Sequence, residues 1–363
     1  MSSLRPLAFR LLERLSLLQK TPADEDRRVI DACILFGGDI PRLHRAPAIG
    51  QVPEASALGR TGPGPRNFVC SRGFAEPRPV SEVRDGVLYS AEGFGWHRGR
   101  LDERLSVRTI RSLGPVLRRP SRARARRFAT ATLIQGEWPD TYGDWVSEQI
   151  RSIALAGGVL EPPLLLPGFL GRRPYVRHEL ERLGIEHVAL DGPAFVERAT
   201  VLRKPTPLTF WREEEVAAYR RLFRLDPPEP RPGSLLYLSR AGVRSEQARA
   251  ARDYRSAVIA DAVRAMGGTV AETASMRFED FTPLAETAET VIADHGAAMF
   301  NMVQWRPRAV LELVTDTWWS PCFVTLGLAC GAREHVVLRS DEGSDAALKA
   351  RVTDTVAALQ ERA

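Results

Sequence analysis

Several common signatures are absent from this 363-residue sequence, and each absence argues against a class of protein. No GxGxxG motif follows an early strand pattern, which argues against a dinucleotide-dependent oxidoreductase. The six histidines show no HExxH or paired spacing, which argues against a metal hydrolase. The four cysteines form no CxxC pair and indicate free thiols of a reducing compartment. We therefore expect a cytoplasmic protein without a bound metal or cofactor.

Long apolar runs are also missing, since none reaches the roughly 18 residues that a membrane-spanning helix needs. Segment 3–20 is a short basic amphipathic pattern, which predicts either a packing helix or a weak anchor at a membrane surface. The stretch 118–127 contains six arginines and no carboxylate. It predicts a solvated loop or a patch for acidic lipid or acidic glycan. Aromatic residues for base stacking do not interleave with these arginines, so we expect no nucleic-acid partner.

The length favours two domains, because single domains mostly contain about 100–200 residues. Strand patterns alternate with helix patterns in both halves, which is typical of parallel sheets in α/β domains. A proline-rich segment separates the halves. We predict two Rossmann-like domains that face a cleft. Their ranges are an N-terminal helix and irregular extension of the first domain at 1–75, the first domain at 76–205, a proline-rich connection at 206–232 and the second domain at 233–363.

The arginine-containing loop YLSRAGVRSE (237–246) follows a strand pattern. The strand places Ser239 and Arg240 at its carboxyl end, Gly242 allows a turn, and Arg244 follows. Two guanidinium forks suit a diphosphate. The alternative is a surface loop with ordinary arginines.

A histidine–glycine segment, VIADHGAAMFNM (291–302), follows another strand pattern. The small residues Gly296 and Ala297 open a helix pattern, whose N-terminal N–H groups can bind an anion. His295 can donate to a phosphate oxygen or stabilise a leaving group, and Asn301 lies one turn into the helix. The alternative is a structural histidine that bonds within the protein.

Three carboxylates are further candidates. Glu312 interrupts the apolar strand pattern at 309–314, where an unpaired buried charge would be costly, so it predicts either a contact with ribose hydroxyls or a salt bridge to an arginine. Asp144 and Glu148 are spaced i, i+4 at the start of a helix pattern. They predict either a general base or N-terminal capping by Asp144 with Trp145 in the core.

Taken together, the segments at 237–246, 278–281 (FEDF), 294–302 and 311–313 resemble glycosyltransferase family 61. The segments at 142–154 and 164–185 are similar to upstream parts of that family. The His-Gly-Ala…Asn-Met segment is the most specific part of the resemblance. The chain departs from the family pattern at Asp144, which replaces a histidine, at Ala298, which replaces a glycine, and at Arg252-Asp253, which replaces an Asn-Glu pair.

The resemblance implies a GT-B type fold and an inverting, metal-independent transfer of sugar from a nucleotide diphosphate sugar, usually a UDP-sugar, to a glycan acceptor. Bacterial relatives are associated with capsular polysaccharide and exopolysaccharide biosynthesis. It implies that the diphosphate contacts lie at Ser239, Arg240, Arg244, His295, Gly296, Ala297 and Asn301, with ribose at Glu312. The expected base is Asp144, then Glu148, and more remotely Glu279. The alternative is a catalytically inactive relative that binds nucleotide sugar or glycan in an assembly system.

Overall fold

The computed structural model describes residues 81–108, 118–136, 139, 141–158, 160–203, 211–242, 254–315 and 322–361. It also gives the backbone of four short strands, Leu18–Gln19 (β1), Cys33–Phe36 (β2), Arg42–His44 (β3) and Asn67–Cys70 (β4). The helix predicted at 3–20 lies outside the described residues apart from β1, and Arg244 and Arg252-Asp253 also lie outside them.

The chain divides into two compact units. The first contains residues 1–25, 76–205 and 221–223, and the second contains 26–75, 206–220 and 224–363. Both contain strands and helices in alternation, so the predicted α/β class is confirmed. The domain ranges predicted from the sequence stay predictions.

The first unit contains a mixed sheet. Its strands are β1, Ser81–Tyr89 (β5), Gly95–His97 (β6), Arg100–Asp102 (β7), Arg126–Ile134 (β8), Leu164–Pro167 (β9), His187–Leu190 (β10) and Ala194–Leu202 (β11). The strand order is β1-β7-β6-β5-β11-β8-β9-β10. Strands β8, β9 and β10 pair in parallel, as the strand–helix alternation predicts. Strand β11 pairs in parallel with β8 and antiparallel with β5, and β5, β6 and β7 pair antiparallel.

Three helices accompany the parallel strands of the first unit. Tyr142–Asp144, Trp145–Ile150 and Arg151–Leu155 form one continuous helix (α1) with a π-helical centre. Gly168–Gly171 (α2) and Pro174–Arg182 (α3) follow β9. The buried side chains of the sheet include Val87, Leu133, Leu165 and Val201, which form one apolar core. Burial of this apolar area is the main stabilising contribution to the unit.

The second unit contains a sheet of five parallel strands, Leu235–Ser239 (β12), Thr269–Glu272 (β13), Thr290–Asp294 (β14), Ala309–Val314 (β15) and Glu334–Arg339 (β16), with β3 antiparallel at one edge. Its α-helices include Ser256–Ala265 (α5), Cys322–Cys330 (α6) and Asp345–Gln360 (α7), and Glu213–Phe223 (α4) precedes the sheet in the chain. Phe278–Thr287 and Ala297–Gln304 are 3₁₀ helices. Such an arrangement is compatible with a Rossmann-like α/β unit.

The strand order of this sheet, β13-β12-β14-β15-β16-β3, reverses direction between β12 and β14. The chain moves from β12 to β13 on one side and then to β14, β15 and β16 on the other. In open parallel sheets a crevice for ligands lies beyond the carboxyl ends of the strands at such a reversal. We call the residues that follow β12, β14 and β15 the carboxyl edge of the second sheet.

Two further features concern the short strands and the helices. Strands β2 and β4 pair antiparallel as a separate two-stranded sheet. Within the described part of the chain, no helix is long and apolar enough to cross a bilayer.

Candidate functional site

Asp294, the last residue of β14, joins three chain segments at the carboxyl edge of the second sheet. Its Oδ1 accepts a hydrogen bond from Tyr237 Oη at 2.9 Å, and its Oδ2 accepts from the Arg240 backbone N–H at 2.9 Å and from Ser256 Oγ at 2.6 Å. Burial raises the pKa of this carboxyl, and the bonds from Ser256, Arg240 and Tyr237 act in the opposite direction. The loop after β12 and the start of α5 are thus fixed to the end of β14.

Arg240 lies directly against Gly296 at this edge. Its Nη1 donates to the His295 carbonyl oxygen at 3.1 Å, and Tyr254 Oη donates to the same oxygen at 2.9 Å. The Tyr254 ring centroid is 5.9 Å from the Arg240 guanidinium carbon. A β-carbon at position 296 would lie 1.7 Å from Arg240 Nη1. Because Gly296 itself has extended backbone (φ 164), close approach of the guanidinium is what requires glycine here.

The 3₁₀ helix Ala297–Gln304 begins beside this guanidinium. Its first internal bond runs from the Met299 N–H to the Gly296 carbonyl at 2.9 Å. The N–H groups of Ala297 and Ala298 precede that bond, so they have no acceptor within the helix. Half-buried N–H groups at a helix start, next to a guanidinium, are suited to bind an anion.

Asn301 stabilises this helix from inside. Its side chain is buried, and its Nδ2 donates to the Ala298 carbonyl oxygen at 3.0 Å. Gln304 donates to Asn301 Oδ1 at 3.3 Å and to the Phe278 carbonyl at 2.8 Å. The structure thus places Asn301 as a support of the turn that carries Ala297 and Ala298.

Beneath this edge lies a buried group of three side chains, His295, Glu312 and His335, each fully shielded from solvent. Glu312 Oε1 bonds His295 Nδ1 at short distance, and Glu312 Oε2 bonds His335 Nε2 at 2.9 Å. Burial raises the pKa of the Glu312 carboxyl well above its usual range. The His295 ring also packs edge-on against Phe323, with centroids 4.9 Å apart. The group therefore connects β14, β15 and β16 just behind the Gly296 peptide.

His335 is the second histidine of that group. Burial lowers its pKa to about 3, and its Nδ1 has no hydrogen-bond partner among the described residues. The neutral ring then carries its proton on Nε2 and donates it to Glu312. Gly327 of α6 makes room for the ring, since a β-carbon there would lie 2.7 Å from His335 Nδ1.

Most of the predicted residues of the second unit come to the carboxyl edge. Ser239 is buried, and its Oγ accepts from the Ala241 N–H at 3.1 Å. Both oxygens of Glu312 are used by histidines, which is neither the ribose contact nor the arginine salt bridge expected from the sequence. A ribose contact stays a prediction. Direct phosphate contact by the His295 side chain also stays a prediction. The His295 ring is fully buried.

The predicted residues of the first unit have structural contacts of their own. Thr141, and not Asp144, is the N-cap of α1. Asp144 Oδ2 accepts from the Thr141 N–H at 3.1 Å and from Thr141 Oγ1 at 2.7 Å, while Thr141 Oγ1 accepts from the Asp144 N–H at 3.2 Å. This reciprocal capping box satisfies N–H groups at the start of the helix. The role of Asp144 as a base stays a prediction.

Glu148 lies one turn further along α1 and is buried, whereas Asp144 is half-buried. Gln149 Nε2 donates to Glu148 Oε2 at 3.3 Å. Trp145 is in the core, as predicted, and its Nε1 donates to Glu179 Oε2 at 2.6 Å. Glu279, the remote candidate, pairs with Arg277 at 3.2 Å in the second unit.

Sequence reasoning missed Tyr254, Ser256 and His335 as parts of the carboxyl edge and its support. Asp294 was visible within the DHG segment, but it was not assigned a role. Nothing local marks Tyr254 or Ser256, because their partners lie 41 and 38 residues away in the chain. A polar residue within the apolar strand pattern at 335–338 was the only signal for His335.

Comparison with known proteins does not identify a family for this chain. No protein-family model matches the chain, and the search of curated proteins found no match. The described residues contain no group of three His, Cys, Asp or Glu side chains that could hold a metal ion. The geometry of the carboxyl edge therefore provides the basis for a functional assignment.

Proposed function

We propose that the carboxyl edge of the second sheet binds the diphosphate of a nucleotide sugar, and that the chain is an inverting, metal-independent glycosyltransferase acting on a glycan acceptor. The observation that carries the proposal is the position of Arg240. Its guanidinium lies against Gly296, at the reversal of strand order and beside the start of the Ala297–Gln304 helix. These three features together favour a phosphate-bearing ligand.

The chemistry needs stabilisation of negative charge on the leaving group. In an inverting transfer the acceptor oxygen attacks the anomeric carbon, the bond from that carbon to the diphosphate oxygen breaks, and the electron pair stays on the diphosphate. A base takes the proton of the acceptor hydroxyl. Arg240 and the N–H groups of Ala297 and Ala298 are fixed donors for the growing charge, and such donors cost little reorganisation during the reaction.

In this proposal the buried side chains of His295, Glu312 and His335 position the anion-binding residues. It ties the peptide that precedes Gly296 to β15 and β16, while Asp294 ties it to β12 and α5. Donors held within a fraction of an ångström of their working geometry are more effective than mobile ones. We infer that these residues set the position of Arg240 relative to the helix start.

The proposal includes the GT-B type arrangement of two Rossmann-like domains, with acceptor recognition on the first unit and Asp144 or Glu148 as the base. A carboxylate of the protein works well as a general base only if its pKa is raised towards the working pH. Glu148 is buried in α1, one turn after Asp144, and is the second candidate for that role. Capsular polysaccharide or exopolysaccharide synthesis is the process that the resemblance suggests.

A thermal-shift panel tests the donor side. We expect UDP and UDP-sugars to raise the Tm, whereas uridine, which lacks the diphosphate, leaves it nearly unchanged. At a ligand concentration of 100 times the Kd the stabilisation amounts to about 2.7 kcal/mol. Arg240→Gln should remove most of the shift, and Arg264→Gln, which changes an exposed arginine of α5, should retain it. Equal shifts with UDP and uridine, or an unchanged shift in Arg240→Gln, would reject the proposal.

The second candidate is an inactive relative that binds nucleotide sugar or glycan in an assembly system. The capping box favours it, since both Thr141 donors already occupy Asp144 Oδ2. Release of free UDP from a UDP-sugar separates the two candidates. A transferase releases UDP when an acceptor, or water in slow hydrolysis, takes the sugar, whereas a binding protein holds the donor intact.

A further inference from the structure

The first unit carries a dense set of exposed arginines. Six lie between residues 118 and 127, in the segment that leads into β8, and two more lie in the β6–β7 hairpin. We call this set the arginine surface. Its members are Arg98, Arg100, Arg118, Arg119, Arg122, Arg124, Arg126 and Arg127.

Almost none of this charge is neutralised. Arg127 pairs with Glu197 at 2.7 Å, where both side chains are more than half exposed (66% and 51%). The other seven arginines form no ion pair within the part of the chain that the structure describes. The nearby Asp102 is buried and already bonded to Arg104. An exposed surface with this much unpaired charge attracts a polyanion.

Aromatic rings support several of the guanidinium groups. The Arg122 guanidinium carbon lies 3.8 Å from the centroid of Phe195, and that of Arg127 lies 5.6 Å from the same ring. Arg126 lies 4.9 Å from the centroid of Phe128. Stacking on a ring orders an arginine while it leaves the edge donors of the guanidinium free for phosphate.

The charges cover an area and not a single row. A β-carbon on Gly99, in the β6–β7 turn, would lie 3.6 Å from Arg119 Nη1, so the turn and the 118–127 segment are neighbours. The pKa of His97 in the same hairpin is lowered by partial burial and then by Arg98 and Arg84. Two chain segments thus present cations side by side, which suits a planar polyanion better than a linear one.

We propose that the arginine surface binds an anionic phospholipid membrane and holds the protein at that membrane as a peripheral protein. The inference is independent of the function proposed for the second unit, because it depends only on the surface of the first. Each basic residue at an anionic leaflet adds roughly fivefold to the partition coefficient.

Vesicle co-sedimentation of the full chain tests the proposal. The probes are vesicles of phosphatidylcholine alone and vesicles in which about one third of the lipid is phosphatidylglycerol. We expect binding to the anionic vesicles only. Binding should disappear when the salt concentration rises from about 0.1 M to about 1 M, because the Debye length falls from about 10 Å to about 3 Å.

Matched variants locate the binding surface. The triple change Arg118→Gln, Arg119→Gln and Arg124→Gln removes arginines that form no ion pair or ring contact among the described residues, and we expect about a hundredfold weaker partitioning. The three corresponding Lys substitutions keep the charge and should retain most of the binding. The control Arg177→Gln, Arg221→Gln and Arg264→Gln removes the same charge from exposed positions outside this surface and should have little effect.

Three results would overturn the proposal. One is equal binding of wild type to neutral and anionic vesicles. Another is an equal loss of vesicle partitioning in the triple variant of the arginine surface and in the control triple variant, which would indicate an effect of net charge only. The third is binding to a soluble polyanion such as heparin without binding to anionic vesicles, which would assign the surface to an acidic glycan.

Discussion

Asp294 of the second unit and Asp144 of the first are both aspartates close to predicted catalytic positions, but they have different partners. Asp294 is fully buried and bonds Tyr237 and Arg240 at the end of β12 and Ser256 at the start of α5. Asp144 is half-buried and forms a capping box with Thr141, three residues earlier. One carboxylate organises a tertiary edge, and the other caps its own helix.

This difference shows which of the candidate residues come together in the fold. In the second unit, the residues after β12 and β14 converge because parallel strands end at the same edge. In the first unit, the hydrogen bonds between Asp144 and Thr141 are those expected for any helix start of this composition. The functional proposal therefore depends mainly on the second unit.

Removal of each carboxylate should lower the free energy of unfolding by very different amounts. Asp294→Ala leaves three buried or half-buried donors without an acceptor, and we expect the free energy of unfolding to fall by about 3–5 kcal/mol. Asp144→Ala removes the capping contact with Thr141, for which we expect about 1 kcal/mol. Urea unfolding of both variants provides the measurement. Equal losses would show that Asp294 does not organise the edge.

A side chain at position 296 should separate binding from folding. Gly296→Ala displaces the Arg240 guanidinium from its position against the His295 carbonyl, so we expect UDP binding to weaken by about ten- to hundredfold, the value of one charge-assisted hydrogen bond. Gly192→Ala is the matched control, because no atom lies within 4 Å of a β-carbon there and its φ is not in the left-handed region. Calorimetric titration with UDP measures both. Unchanged affinity in Gly296→Ala would contradict the role of Arg240.

The buried His335 should give the second unit a pH dependence. Its folded pKa of about 3 lies below the unfolded value of 6.5, so the unfolded state binds the extra proton between these values. Stability should therefore fall as the pH drops from 6.5 towards 3, by at most about 1.4 kcal/mol per pH unit. His335→Gln removes this contribution, while Glu312, whose raised pKa acts in the opposite sense, is present in both proteins. Parallel stability–pH curves of wild type and variant would contradict the assignment.

The smallest expected loss of stability concerns the capping box of α1, and its two variants test whether Asp144 is the base. Thr141→Ala and Asp144→Asn each disturb the same capping box and should each cost about 1 kcal/mol. If Asp144 is the base, Asp144→Asn abolishes UDP release from the donor while Thr141→Ala retains it. Similar turnover in the two variants would exclude Asp144 as the base and leave Glu148 as the candidate.

The sequence predicted the second sheet well because its strands are short apolar runs that end in polar loops. The observed β15 has the predicted bounds, 309–314, and β12 and β14 precede the two loops that were predicted to follow strands. Helices were expected at 278–289 and from about 298, and the structure has 3₁₀ helices at Phe278–Thr287 and Ala297–Gln304. In the first of these, Pro283 removes a backbone donor that a regular helix would use.

Other parts of the fold could not be predicted from local patterns. Strands β6 and β7 have only three residues each, too few to show an alternation. Strand β11 contains Glu197 and Arg198 in its middle, which hides its apolar character although it pairs with both β5 and β8. At the candidate site, Arg240 and Gly296 were foreseeable from their position after strands. The bonds to Tyr254, Ser256 and His335 depend on tertiary packing, which local periodicity does not encode.

The most direct test of the central claim is a crystal structure of the full chain with UDP. We expect diphosphate oxygens at about 2.7–3.0 Å from the Arg240 guanidinium and from the N–H groups of Ala297 and Ala298. UDP bound elsewhere on the molecule, or Arg240 still bonded only to the His295 carbonyl with UDP present, would contradict it.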